Sequence, residues 1–205
     1  IRGTAELLQE PAMAEPDRRR FLENLQAESE RAERLLRQLL RLSEVERRKT
    51  LHQREPAELR ALLEEAIAEA AAPASQKGIR FDFADGAAAY VAGDPALLRR
   101  ALLNLLENAA DFAPAGSAVE VRLETENGSA VITVRDHGPG IPDYALPRLF
   151  ERFYSLKHQQ TGRKGTGLGL CFVKETADLH QGSVTLANHP DGGAVATLTL
   201  PLEKD

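Results

Sequence analysis

From residue 17 to about residue 49, apolar side chains recur every three or four positions: Phe21, Leu25, Ala32, Leu35, Leu36, Leu39, Leu42 and Val45. Arg and Glu fill the positions between them, which predicts an amphipathic helix of about 30 residues. Residues 1–9 read as the end of another helix. Pro11 and Pro16 break it, and Glu15-Pro16-Asp17 is a good restart. Two helices joined by a short loop predict a helical hairpin over residues 1–50. A hairpin buries little by itself, so pairing with a second hairpin is expected.

Past residue 50 the pattern becomes mixed. A short strand is predicted at 51–55 and a helix at 56–72, with Leu59, Leu62, Leu63, Ala66, Ile67 and Ala70 on its apolar side. Ile79-Arg80-Phe81-Asp82-Phe83 alternates with period two, a strand signal, and 89–92 is a further short strand. Asp94-Pro95 supplies an N-cap followed by proline at the first helical position, opening a helix that runs to about Phe112. Strands at 119–126 and 130–136 are joined by Asn127-Gly128-Ser129, and strands at 183–188 and 194–200 by Asp191-Gly192-Gly193. A helix at 169–180 precedes the last pair. The mixture predicts an α+β fold: a mixed, mostly antiparallel sheet with helices on one face, residues 51–205, preceded by the hairpin.

Composition narrows the class. Lys plus Arg is 26 and Asp plus Glu is 31, a net charge of −5. That argues against nucleic acid as a partner, since broad binding needs a basic footprint. A single cysteine excludes an internal disulfide framework and any multi-cysteine zinc site. With no Trp and 5% aromatics, the core must be aliphatic. No apolar run reaches the ~18–20 residues of a membrane helix. A start at Ile1 with a helical pattern already under way reads as a cytosolic piece of a longer chain, attached to a membrane only through segments N-terminal to it.

Three segments carry chemistry. Asn104 and Asn108 lie four apart, so they share a face of the helix ending near Phe112. Their amide oxygens suit Mg²⁺, a hard cation that keeps waters and borrows substrate phosphates, although the pair taken alone is better read as two solvent-facing asparagines. Asp136-His137-Gly138-Pro139-Gly140-Ile141 ends a strand in a carboxylate that can accept from an exocyclic amine, followed by glycines that permit close backbone approach. Gly165-Thr166-Gly167-Leu168-Gly169 runs into a helix, where open N–H groups and the helix terminus favour phosphate. It lacks the Lys-Ser/Thr ending of a Walker loop and does not follow the strand of a dinucleotide-binding unit. Between these lie Tyr144 and the cluster Leu149-Phe150-Glu151-Arg152-Phe153-Tyr154, then a polar span with Lys157, His158, Arg163 and Lys164. An anchored aromatic base, a polar span and glycines beyond it read as a hinged lid.

In this order and spacing, the segments resemble the N box, first glycine box, F box and second glycine box of the sensor histidine protein kinases, whose nucleotide fold is shared with gyrase, Hsp90 and MutL. Ile141-Pro142-Asp143-Tyr144-Ala145-Leu146, Phe150-Glu151-Arg152-Phe153-Tyr154-Ser155-Leu156 and Ile1-Arg2-Gly3-Thr4-Ala5-Glu6 are similar to the CreC branch of that family. The resemblance implies an ATP-binding domain at 51–205 and, at 1–50, part of the dimerisation and histidine-phosphotransfer hairpin. It implies Asn108 as the Mg²⁺ ligand and Asn104 as the catalytic residue that orients phosphates or the incoming imidazole. Asp136 would take the adenine amino group, Gly138 and Gly140 would shape the adenine pocket beside Ile141, and Phe112 would lie against the ring. Gly165, Thr166, Gly167, Leu168 and Gly169 would cradle the phosphates, and Asp111, Phe150, Arg152, Tyr154 and Lys164 would complete the site.

Two positions depart from that pattern. Asp111 stands where many members carry Lys, and Ser155 where many carry Arg. Positive charge at the phosphates must therefore come from elsewhere, with Arg152, Lys157, Arg163 and Lys164 as candidates. The five histidines, His52, His137, His158, His180 and His189, all lie outside the hairpin, and none has the family's phosphoacceptor neighbourhood. The expectation is a chain that binds Mg-ATP without phosphorylating itself. In the intact protein the γ-phosphoryl group would pass to a histidine and then to an Asp of a response-regulator receiver. The alternatives are a degenerate kinase acting as a dimeric regulator-binding module, and an ATP-hydrolysing switch. The switch is disfavoured because Asn104 stands where such proteins use an acid.

Overall fold

The computed structural model describes residues 15–48, 50–51, 54–84, 88–156 and 165–203. The helix expected at 1–9 and the polar span holding Lys157, His158, Arg163 and Lys164 lie outside these residues. The chain divides into two compact units, Ile1–Ser43 and Glu44–Asp205.

Helix α1 covers Glu15–Arg47, as the apolar spacing predicts. Pairs one turn apart lace its polar side, such as Arg37 with Glu33 at 2.8 Å. Leu22, Leu36, Leu39 and Leu40 are exposed, an apolar face with no cover among the described residues.

In the second unit, β1 (Glu55–Glu58) pairs antiparallel with β3 (Tyr90–Gly93). Helix α2 follows at Leu59–Ser75. The expected strand at 51–55 and helix start at Pro56 are therefore both displaced. Pro56 stands opposite Ala92 in a two-stranded ladder, where a missing N–H is tolerated because neither strand is flanked on both sides. Helix α2 also runs past Pro73 to Ser75, beyond the predicted end at Ala72.

The main sheet is ordered β2-β4-β5-β7-β6, formed by Arg80–Phe83, Ala118–Glu126, Ser129–Arg135, Ala194–Pro201 and Ser183–Asn188. Only the β2–β4 pair is parallel. Alternation decides the covered face. Val119, Val121 and Leu123 of β4, Ala130, Ile132 and Val134 of β5, and Ala196, Leu198 and Leu200 of β7 are buried. Against this face pack α3 (Pro95–Phe112) and α4 (Gly169–Leu179). Leu98, Leu102, Leu105 and Leu106 of α3 are fully buried, so the aliphatic core expected from the lack of aromatics is realised.

The start of α3 is held from several directions. Asp94 Oδ1 accepts from the N–H groups of Ala96 and Leu97, both at 3.1 Å, completing the predicted cap. Arg48 reaches its other oxygen at 3.0 Å. Buried His180, just past α4, accepts the Asp94 N–H on Nε2 at 3.0 Å and donates Nδ1–H to the Thr176 carbonyl at 2.7 Å. This arrangement requires a neutral ring. Burial lowers the His180 pKa, partly offset by the Thr176 carbonyl and by Asp94, while Arg54 lowers it further. A lowered folded pKa means that the unfolded chain takes up the proton first. The stability from this clamp is present above about pH 6.5 and is lost as pH falls below it. Urea midpoints should drop across that window, and His180→Gln should flatten the dependence. Parallel profiles for the two proteins would contradict the assignment.

Candidate functional site

Strand β5 delivers Asp136 to the base of the glycine loop. The residue is 6% exposed, and its Oδ1 accepts from Gly138 N–H at 2.8 Å and Ala194 N–H at 3.3 Å. Burial pushes its pKa up; the two backbone donors and His137 pull against that. An acidic group kept out of water and oriented by backbone donors is suited to a specific polar contact.

The loop beyond Asp136 enters a cavity of about 630 Å³, lined by Phe112, Pro139, Gly140, Ile141, Pro142, Tyr144, Arg148, Tyr154, Ser155 and Leu156. That volume suits a small-molecule ligand, and the wall mixes apolar side chains with the polar groups of Arg148, Ser155 and two tyrosines. Four residues expected in the site, Phe112, Gly140, Ile141 and Tyr154, thus meet on one surface although they span the end of α3, the glycine loop and the aromatic segment.

Ile141 is fixed by a residue the sequence reading did not single out. Asn188, the last residue of β6, accepts the Ile141 N–H on Oδ1 at 2.6 Å and donates Nδ2–H to the Ile141 carbonyl at 2.8 Å. An amide side chain carries one donor group and one acceptor, so it pairs with a peptide group as a neighbouring strand would. No local pattern marks Asn188, because its partner lies 47 residues away.

The glycine run joins the aromatic segment directly. Phe153 N–H donates to the Gly167 carbonyl at 2.9 Å, and both residues have positive φ, 63° and 68°. A Cβ on Gly167 would lie 2.5 Å from the Phe153 carbonyl carbon, so only glycine fits this approach. Gly165 is exposed, Thr166 accepts the Leu168 N–H on Oγ1 at 3.4 Å, and Leu168 is buried. Gly169 opens α4. Its carbonyl accepts Nδ2–H of Asn104 at 3.4 Å, and Asn104 is 8% exposed. Asn104 therefore ties α3 to the root of the glycine run, and Asn108, half-buried, follows one turn later.

Other expected residues fall elsewhere. Asp111 is exposed and pairs with Lys77 at 2.8 Å. Arg152 pairs with Glu46 at the end of α1. Phe150 packs on the cluster of Ile141, Ala145, Leu149 and Ala194 and does not line the cavity, and its carbonyl accepts the buried Cys171 thiol at 2.9 Å. Burial raises the pKa of that thiol, consistent with a packing role. Lys164 lies outside the described residues.

Comparison with known proteins decides the lineage. The family model described as histidine kinase-, DNA gyrase B-, and HSP90-like ATPase matches residues 93–204. This chain belongs to that family. The model of the His Kinase A (phospho-acceptor) domain matches residues 1–48. Sensor protein CreC of Escherichia coli (strain K12) is 39% identical over 200 residues, covering 98% of this chain and 41% of CreC. The sensor-like histidine kinase SenX3 of Mycolicibacterium smegmatis is 34% identical over 206 residues, 97% of this chain and 53% of SenX3. The chain therefore spans about half or less of each. Among solved structures, the mycobacterial sensor histidine kinase MprB superposes with a TM-score of 0.64 at 30% identity, covering 74% of this chain and 99% of the other. An α+β fold with a mixed, mostly antiparallel sheet and helices on one face is therefore the correct class.

Proposed function

We propose that this chain is the Mg-ATP-binding core of a two-component kinase of the CreC kind, which transfers the γ-phosphoryl group to a histidine and then to an aspartate of a response-regulator receiver. One observation carries the reading: the glycine loop that starts at Asp136 reaches the cavity wall through Gly140 and Ile141, and Tyr154 on the same wall follows Phe153, whose N–H binds the Gly167 carbonyl. In this reading, Asp136 accepts from the adenine amino group, Phe112 and Ile141 hold the ring, and the N–H groups from Gly165 to Gly169 face the phosphates, favoured by the start of α4. Asn104 keeps that helix start in register with α3. Gly138, Gly140, Thr166, Leu168 and Tyr154 complete the site, and of these Gly140 and Tyr154 line the cavity.

The donor set fits Mg²⁺ held jointly with substrate. Among the described residues no group of three or more His, Cys, Asp or Glu side chains could hold a metal. Asn108 offers a single neutral oxygen, which suits a cation that keeps its waters and takes the rest of its ligands from phosphates. Bound there, the ion would neutralise charge on the transferring group. An imidazole is already a good nucleophile, so the task left to the protein is to position phosphate and acceptor.

The exposed leucines of α1 support a dimer built through the hairpin, and the same hairpin is where a receiver domain would dock. ATP chemistry of this kind belongs on the cytoplasmic side of a membrane sensor; no helix among the described residues is long and apolar enough to cross a membrane. Residues 1–48, which match the phospho-acceptor domain model, contain no histidine. Incubation of the 205-residue chain with γ-radiolabelled ATP and Mg²⁺ should give no acid-labile label on the protein. Acid-labile, base-stable label on the purified chain would contradict the assignment.

A further inference from the structure

The cavity has one cation on its wall among the described residues, Arg148, and it is not one of the cations the sequence pointed to. It sits at the end of the short 3-10 turn Leu146–Arg148. Its guanidinium lies 4.4 Å from the centre of the Tyr154 ring. Nε donates to Glu151 at 3.0 Å, and among the described residues no partner holds its two terminal nitrogens. Stacking and a single carboxylate contact fix the plane of the fork and leave its outer edge free. Tyr154 follows Phe153, whose N–H binds the Gly167 carbonyl. One residue's backbone and one ring therefore connect this cation to the glycine run.

Building on the ATP-binding reading above, we infer that Arg148 meets the phosphate chain of the bound nucleotide. A chain of net charge −5 that binds a triphosphate needs local positive charge beyond backbone N–H groups. Arg152, the described alternative, is engaged with Glu46 and does not line the cavity. A stacked guanidinium presents parallel N–H groups that match phosphate oxygens, which an ammonium does not reproduce. Arg148 is about half exposed, so solvent screening keeps its contribution moderate.

The test is titration of the 205-residue chain with Mg-ATP and, separately, with adenosine. Arg148→Ala should weaken ATP binding by roughly tenfold and leave adenosine binding unchanged, and Arg148→Lys should recover part of the loss. The affinity of the unaltered chain for ATP should fall more steeply with salt than that of Arg148→Ala. Retained adenosine binding also shows that the variant is folded. Two results would overturn the inference: ATP affinity unchanged in Arg148→Ala, or equal losses for ATP and adenosine, which would assign Arg148 to the ring or to loop structure. If the unaltered chain binds neither ligand, the ATP-binding reading fails and this inference with it.

Discussion

Asp136→Asn is expected to remove adenine-nucleotide binding while the fold stays intact. Asp136 Oδ1 already accepts two backbone N–H groups, from Gly138 and Ala194, and asparagine can keep that oxygen in place. The amide then turns its NH₂ toward the ligand, where the carboxylate offered an acceptor. A donor facing the adenine amino group leaves two buried donors unpaired, which should weaken binding by at least about a hundredfold. Stability should change little or rise, because burial works against the charged form of Asp136 and asparagine carries no charge to desolvate. Competition against a fluorescent adenine nucleotide, read beside a thermal melt, separates the two effects. Unchanged affinity in a folded variant would remove Asp136 from the site.

Gly193→Ala should have the largest effect on the fold itself. Gly193 has φ of 81°, and a Cβ there would lie 2.0 Å from the Asp136 carbonyl oxygen. That oxygen belongs to backbone anchored at both ends, since Asp136 N–H binds the Ala194 carbonyl at 3.0 Å and Gly193 O accepts from His189 N–H at 3.0 Å. Relief of the clash must therefore part β5 from β7 at the base of the site. Left-handed strain and overpacking together should cost about 3 kcal/mol and lower the melting temperature by roughly 10 °C. The neighbouring Gly192 is a built-in control. Its φ is 93°, but a Cβ there meets nothing within 4 Å, so Gly192→Ala carries the strain alone, about 1 kcal/mol. Equal losses at the two positions would show that close approach to Asp136 is not what Gly193 serves.

These residues also show which parts of the molecule the sequence discloses. Alternating strands, the Asp94-Pro95 start of α3 and the glycine run are legible because each is set by neighbours within a few positions. Phe112, Ile141 and Tyr154 are expected to share a site only through the resemblance to histidine kinases, and the fold does bring them to one cavity. Asn188, Arg148 and Gly193 are different in kind. Asn188 matters because β6 ends beside the glycine loop, Gly193 because β7 begins against Asp136, and Arg148 because a short turn lays it over Tyr154. The roles of Asn188 and Gly193 depend on pairing across long stretches of chain, and that of Arg148 on the conformation of the turn, none of which local spacing encodes. Arg152 illustrates the converse. It is a suitable cation by position in the sequence, yet it is spent on Glu46. The start of α2 was misplaced for a related reason, since β1 takes its register from β3 and overrides the helix-opening signal of Pro56.

Calorimetric titration of Mg-ATP into the 205-residue chain tests the central claim most directly, with Asp136→Asn as the companion titration. Saturable binding at one site per chain, weakened by chelation of Mg²⁺ and absent in Asp136→Asn, is the expected result. No saturable heat from the unaltered chain, or the same heat from both proteins, would contradict the assignment of this cavity as the nucleotide site.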